Sequence, residues 1–260
     1  MVRNILIVAL FLLATVGGYS QRERVQNLPE YDYEPYHFGF LLGINDMGFS
    51  IKQDYHSLSL NSSYLSTEYL SKDVNSTAIL KSVEPVSTTG FSIGIIGNLR
   101  LSDHFDLRVI PTLSFGERKL DYYYYETNPT LQTSDTVSWS ASIKSTFLEF
   151  PLHLKYKGNR INNARPYIFG GGKFVYDLSS DATKRSKALT DDLSNVALNH
   201  KDLYGEFGAG FDFYFEWFKM GVEAKMSYGL RDVLFRDNSM YTKGVTRLNS
   251  KIFQLSITFE

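Results

Sequence analysis

Residues 202–230 read DLYGEFGAGFDFYFEWFKMGVEAKMSYGL. Phe207, Ala209, Phe211, Phe213 and Phe215 share one parity, and Glu206, Gly208, Gly210, Asp212 and Tyr214 the other. Beyond Glu216-Trp217 the alternation resumes, with Met220, Val222, Ala224, Met226 and Tyr228 set against Lys219, Gly221, Glu223, Lys225 and Ser227. A period of two is that of a β-strand whose faces meet different surroundings. Two such runs joined by a two-residue connection predict a hairpin.

The same pattern spreads over the chain. Strands are predicted at 36–46, 89–100, 105–117, 143–157, 165–177, 202–215, 218–230 and 248–259. Tyr36, Phe38, Phe40, Leu42 and Ile44 form one apolar face, and Phe253, Leu255, Ile257 and Phe259 another. Connections alternate in length: 47–88, 118–142, 178–201 and 231–247 are long, whereas 101–104, 158–164 and 216–217 are short. This predicts an all-β fold, an eight-stranded antiparallel transmembrane β-barrel built as a meander, with four long outer loops and short periplasmic turns. Both termini are then periplasmic. Pro111 and Pro151 fall inside strands, where proline lacks a ladder donor, so bulges or locally unpaired positions are expected there. Gly170, Gly171 and Gly172 blur the fifth strand and are read as a bend in the wall.

Which face lies inside decides between two barrels. A soluble, lipocalin-like barrel puts apolar residues inward. The inverted, membrane version is favoured by the connection pattern and by the composition of the polar faces. Those faces are rich in Gly and Ser, and their charges nearly cancel. Arg100, Arg108, Lys155, Lys219 and Lys225 stand against Asp106, Glu149, Glu206, Asp212 and Glu223. Eight strands enclose a space just wide enough for side chains, and charges buried there must pair. These ten residues are therefore expected to form a lumen charge network.

The N-terminus predicts export to that membrane. Arg3 precedes an apolar run from Ile5 to Val16, and Gly17, Gly18 and Ser20 supply small residues for cleavage. The expected organisation is a signal peptide at 1–20, a polar periplasmic leader at 21–35 and a barrel at 36–260. No later stretch approaches the roughly 20 apolar residues of a transmembrane helix. The 260 residues include 18 Tyr, 19 Phe and 19 Gly, which suits bending strands and an aromatic girdle. There is no cysteine to form a disulfide, and a net charge of −1 gives no footprint for nucleic acid.

Catalytic chemistry is poorly represented. His37, His56, His104, His153 and His200 show no metal-ligand spacing, so no metal or cofactor is expected. His56-Ser57 is the one adjacent pair resembling parts of a hydrolase, but neighbours on a strand point apart and no acid partner is identifiable. No catalytic residue is assigned. Asn61-Ser62-Ser63, Asn75-Ser76-Thr77, Lys184-Arg185 and Asp191-Asp192 read as ordinary loop. Tyr122, Tyr123, Tyr124 and Tyr125 have two readings, girdle residues at the lipid–water boundary or anchors for a partner. Tyr31, Tyr33 and Pro35 in the leader likewise either dock a partner or close the barrel from below.

Four segments carry a family resemblance. LPEYDYEPYHFGFLLGINDMGFSIK at 28–52, LRVIPTLSFGERKL at 107–120, STFLEFPLHLKYKGNRINNARPYIFGG at 145–171, and the end from KMSYGLRDVL to RLNSKIFQLSITFE resemble the PorT/SprT proteins of Bacteroidetes-type bacteria. The resemblance covers nearly all of the chain after the signal peptide except the outer loops. It implies an integral barrel of the cell outer membrane required by the type IX secretion system, and by gliding where present. The implied partners are outer-membrane lipid and other type IX secretion components, with no nucleic acid. The alternative is a surface or structural barrel, an adhesin or membrane stabiliser, with no secretion role.

Overall fold

The computed structural model describes residues 25–53, 59–61, 77–128, 133–179, 198–235 and 245–260; the expected signal peptide at 1–20 and the His56-Ser57 pair lie outside them. The barrel strands are β1 (Tyr36–Gln53), β2 (Thr77–Arg100), β3 (Phe105–Val109 continued by Thr112–Asn128), β4 (Thr133–Lys157), β5 (Ala164–Asp177), β6 (Lys201–Tyr214), β7 (Lys219–Gly229) and β8 (Val245–Phe259). Each pairs antiparallel with the next, and β1 pairs on its other side with β8 in the register Phe40↔Phe259. The ring is closed through the lower barrel, which leaves no free edge there; above it, among the described residues, 133–146 of β4 pair with β3 alone. A three-residue segment, Ser59–Asn61, adds to β2 at Thr77–Ile79. Among the described residues no helix is long and apolar enough to cross a membrane.

The prolines interrupt hydrogen bonding without shifting the register. Val109 pairs with Leu152 and Thr112 with Glu149, one continuous alignment across Ile110-Pro111. No bulge forms at either proline. The Ile110 N–H donates to the Pro151 carbonyl at 3.4 Å, and the Pro111 carbonyl accepts from Ile95 at 3.0 Å. Neighbouring ladders hold the wall where the proline donors are missing.

Two predicted loops are corrected. Much of 47–88 and 118–142 is strand: β1 continues to Gln53, β2 begins at Thr77, and β3 and β4 run to Asn128 and from Thr133. The parity continues into these extensions while its polarity reverses. Along β1 the outward residues pass from Phe40, Leu42 and Ile44 to Asp46, Ser50 and Lys52, as the inward ones pass from Asn45 to Met47, Phe49 and Ile51. Along β3, outward Leu113 and Phe115 give way to Glu117, Lys119 and Asp121, and inward Leu120, Tyr122 and Tyr124 follow Ser114. Below this level the barrel is apolar outside, as lipid requires; above it the barrel is apolar inside, as water requires. The reversal marks the upper edge of the lipid band.

Above that edge an apolar core fills the barrel. Phe49, Val83, Leu120, Tyr122, Tyr124 and Ala141 pack with Leu198, Val233, Leu234, Val245 and Leu248. The tyrosine run therefore splits between faces. Tyr122 is 0% exposed and Tyr124 is buried, whereas Tyr125 is exposed on the outward parity. Alternation along a strand forces this split, so Tyr123 and Tyr125 alone of the four keep the outward face that a girdle or a contact surface needs.

Candidate functional site

The inward parity of the lower barrel builds a stack of ion pairs. Nearest the short turns, Lys219 pairs with Glu260. Lys155 reaches Asp212 and Lys157 reaches Asp106, each at 2.7 Å. Arg108 lies 3.0 Å from Glu223, which also accepts the Tyr167 hydroxyl at 3.0 Å. Higher up, Glu206 gathers Lys173 at 3.1 Å, Lys225 at 3.3 Å and the His153 ring, and Lys173 also meets Glu149 at 3.0 Å. Arg118 ends the stack, 3.1 Å from Asp177 and between the rings of Phe49 and Phe147. Arg108 is 0% exposed, so these groups occupy the space inside the ring. Lone charges there would be very costly, which explains why cations and carboxylates meet at short distances.

Nine of the ten expected network residues are buried in this stack: Asp106, Arg108, Glu149, Lys155, Glu206, Asp212, Lys219, Glu223 and Lys225. Arg100 is not among them. As the last residue of β2 it stands at the rim, its side chain 24% exposed and paired with Asp103 of the adjoining turn. Sequence reasoning passed over Lys157, Lys173, Arg118, Asp177 and Glu260. Parity alone would have recovered Lys157, which shares a face with Lys155. Lys173 was hidden behind the glycine triplet, and Arg118 lay in a segment taken for loop.

The leader closes the turn end. The Asn27 N–H donates to Asn163 Oδ1 and its side chain to the Tyr214 carbonyl, both at 3.0 Å. Arg160 holds the carbonyls of Asn27 and Leu28. Leu28 has φ of 48°, so the backbone reverses there and carries a short 3-10 turn, Tyr31–Tyr33, under the mouth. Tyr31 stacks on His37 at 3.9 Å, lies edge-on to Tyr214 at 6.3 Å and donates to Glu260 at 3.4 Å. Burial pushes its phenol above the ordinary tyrosine range. Asp32 accepts from Tyr214 at 2.8 Å and pairs with Arg165 at 3.1 Å.

Of the three candidate docking residues in the leader, the fold thus draws Tyr31 into the closure. Tyr33, 71% exposed, and Pro35 stay outside it. The Tyr33 ring lies 5.6 Å from the Arg100 guanidinium. Beside it Arg100, Asp103, His104, Arg160 and Arg165 line a cleft of about 330 Å³.

Among the described residues no group of three or more His, Asp or Glu side chains could hold a metal ion. His153 is enclosed, bonded to Glu206 and packed on Phe169, and so has no substrate approach.

Three solved outer-membrane proteins resemble the chain in shape. Neisserial surface protein A is 10% identical, with 86% of this chain and 98% of that one covered and a TM-score of 0.39. OprG from Pseudomonas aeruginosa is 12% identical, covering 85% and 95% with a TM-score of 0.35. The outer membrane protease OmpT from Escherichia coli is 9% identical, covering 91% and 97% with a TM-score of 0.32. At these identities and TM-scores the likeness carries no conclusion about this chain. Comparison with curated proteins gives no match. A family model described as the outer membrane protein beta-barrel domain matches residues 19–234. The closed ring, its apolar outer band and this match together make the chain a member of the outer membrane protein beta-barrel domain family, an integral protein of the outer membrane.

Proposed function

We propose that this barrel is a non-enzymatic accessory of type IX protein secretion that binds other secretion components at its periplasmic face and conducts no cargo itself. The observation that carries the reading is the leader. It shuts the turn end with Tyr31 and Asp32 while holding Tyr33 and Pro35 outside on a fixed platform. Exposed aromatic rings on rigid supports make strong anchors for a partner. The charged stack below the apolar core leaves no route for a polypeptide. The resemblance of residues 28–52 and 145–171 to the PorT/SprT family supplies the secretion context. In this reading the short turns and both termini face the periplasm.

The test deletes the gene and follows surface export of many cargo proteins, then restores it with variants. Tyr33→Ala should leave a heat-resistant folded barrel and lower export, whereas Tyr31→Ala should also loosen the closure. Trimming residues 62–76 should matter much less. Normal export in the deletion strain would favour a structural barrel without a secretion role. Export lost on trimming but kept in Tyr33→Ala would move the working surface outside the cell.

A further inference from the structure

The outward lysines gather at one end of the lipid band. Lys119, Lys144, Lys201 and Lys251 lie on the lipid-facing parity, within four residues beyond Phe115, Leu148, Leu203 and Phe253. At the opposite end the outward face finishes in rings, those of Tyr36, Phe105, Tyr156, Phe215 and Phe259. The lysines there, Lys155, Lys157 and Lys219, turn into the lumen. The two rims therefore suit different headgroups: among the described residues the outward lysines stand at the long-loop rim, interleaved with Asp46, Glu117 and Asp121.

One cleft on that rim, of about 340 Å³, joins the band to the cations. Gly48 of β1 is its floor, with Pro85 and Ser87 of β2 on one side and Met226, Lys251 and Phe253 on the other. Gly48 pairs with Lys251 in the ladder, so the amine rises directly beside the floor. Met226 and Phe253 are exposed and belong to the lipid face below, leaving the cleft continuous with acyl chains. Asp46 also borders it and accepts the Ser87 hydroxyl at 2.9 Å through one oxygen.

We infer that this cleft holds a phosphorylated glycolipid of the outer leaflet. An acyl chain lies along Met226 and Phe253, a phosphate meets Lys251, and sugar hydroxyls donate to the free side of the Asp46 carboxylate. Phosphate on an ammonium is a charge-assisted contact, stronger than a neutral hydrogen bond. Among the described outward side chains of this rim, Lys52, Lys119, Lys144, Lys201, Arg247 and Lys251 outnumber the carboxylates of Asp46, Glu84, Glu117 and Asp121, and that balance favours an anionic lipid over a zwitterionic one. The inference rests on the long-loop end facing outward, and is independent of any role in secretion.

The test uses the full-length barrel in neutral detergent and native mass spectrometry. The probes are diphosphoryl lipid A, the same lipid after phosphatase treatment, and phosphatidylethanolamine. The wild-type barrel should retain diphosphoryl lipid A in preference to both others. Lys251→Gln should lower that retention about tenfold, the effect of losing one such contact. Lys144→Gln, elsewhere on the rim, should leave it unchanged. Gly48→Val should fill the floor, where a Cβ already comes within 3.0 Å of the Ser87 Cβ, and should also lower it. A heat-dependent mobility shift checks that each variant is folded. Equal retention of the dephosphorylated lipid, preference for phosphatidylethanolamine, unchanged retention by Lys251→Gln, or equal loss with Lys144→Gln would overturn the assignment.

Discussion

Glu206 shows what a single lumen residue has to do. Its carboxylate serves Lys173, Lys225, His153 and the Ser227 hydroxyl. Lys173 has Glu149 as a second partner, while the carboxylate within 4 Å of Lys225 is that of Glu206. A buried ion pair adds little net stability over an apolar replacement, but removing one member strands the other. Glu206→Gln is therefore expected to cost about 3–5 kcal/mol. Arg100→Ala, at the rim, should cost about 0–1 kcal/mol. Urea unfolding of the barrel in lipid vesicles measures both; equal costs would show that the stack does not behave as a buried network. The same two residues show how far the sequence could be read. Parity says which side of the wall a side chain takes, and it served for Glu206 in the middle of a clean alternation. It does not give height, and Arg100 has the lumen parity at the level of the turn. Lys173 was hidden for a different reason. Gly171 runs so close to β4 that a Cβ would fall 2.0 Å from the Leu152 carbonyl oxygen, so the position needs glycine and loses the side chain that would have marked the alternation.

At the scale of the strand, the alternation located the part of each element that crosses lipid and missed the part that rises above it. The centres of all eight strands were legible because apolar-out and polar-in positions differ so sharply there. Past Ile44 and Phe115 the environment inverts, and the alternating pattern inverts with it. In 118–125 the four consecutive tyrosines also place similar residues on both faces, so the period is lost to the eye although the backbone keeps it. The inversion has a mutational signature. Phe211→Arg or Val222→Arg puts a cation against lipid and should cost roughly 2–4 kcal/mol, most near the midplane. Asp121→Arg has the same outward direction but stands above the band, and should lie within about 0.5 kcal/mol of wild type. Leu120→Arg, its inward neighbour, should be strongly destabilising because it buries an unpaired charge in the apolar core. Unfolding midpoints at a fixed lipid composition rank the four. If Asp121→Arg proves as damaging as Phe211→Arg, the lipid boundary has been drawn too low.

For the whole molecule the question is whether anything passes through it. Three layers close the barrel in series: the leader under the turn end, the ion-pair stack in the middle, and the apolar core of Leu120, Tyr122 and Leu248 above. The closure by the leader was one of two readings open from sequence, since Tyr31, Tyr33 and Pro35 suit a plug as well as a docking segment. Only the backbone turn at Leu28 and the partners on 158–163 and Tyr214 tell them apart, and those contacts join residues more than a hundred positions away in sequence. Serial closure predicts more than a leader acting alone would. Deleting residues 25–35 uncovers one mouth, yet Arg108–Glu223 and the Glu206 cluster still occupy an interior of eight-strand width. Planar bilayers containing either the whole barrel or the deleted form should therefore show no stable conductance steps. Steps that appear only after deletion would make the leader the gate of an aqueous channel. Porin-sized steps in the intact protein would remove the filled lumen altogether, and with it the reason for seeking the barrel's role at its turn-end surface.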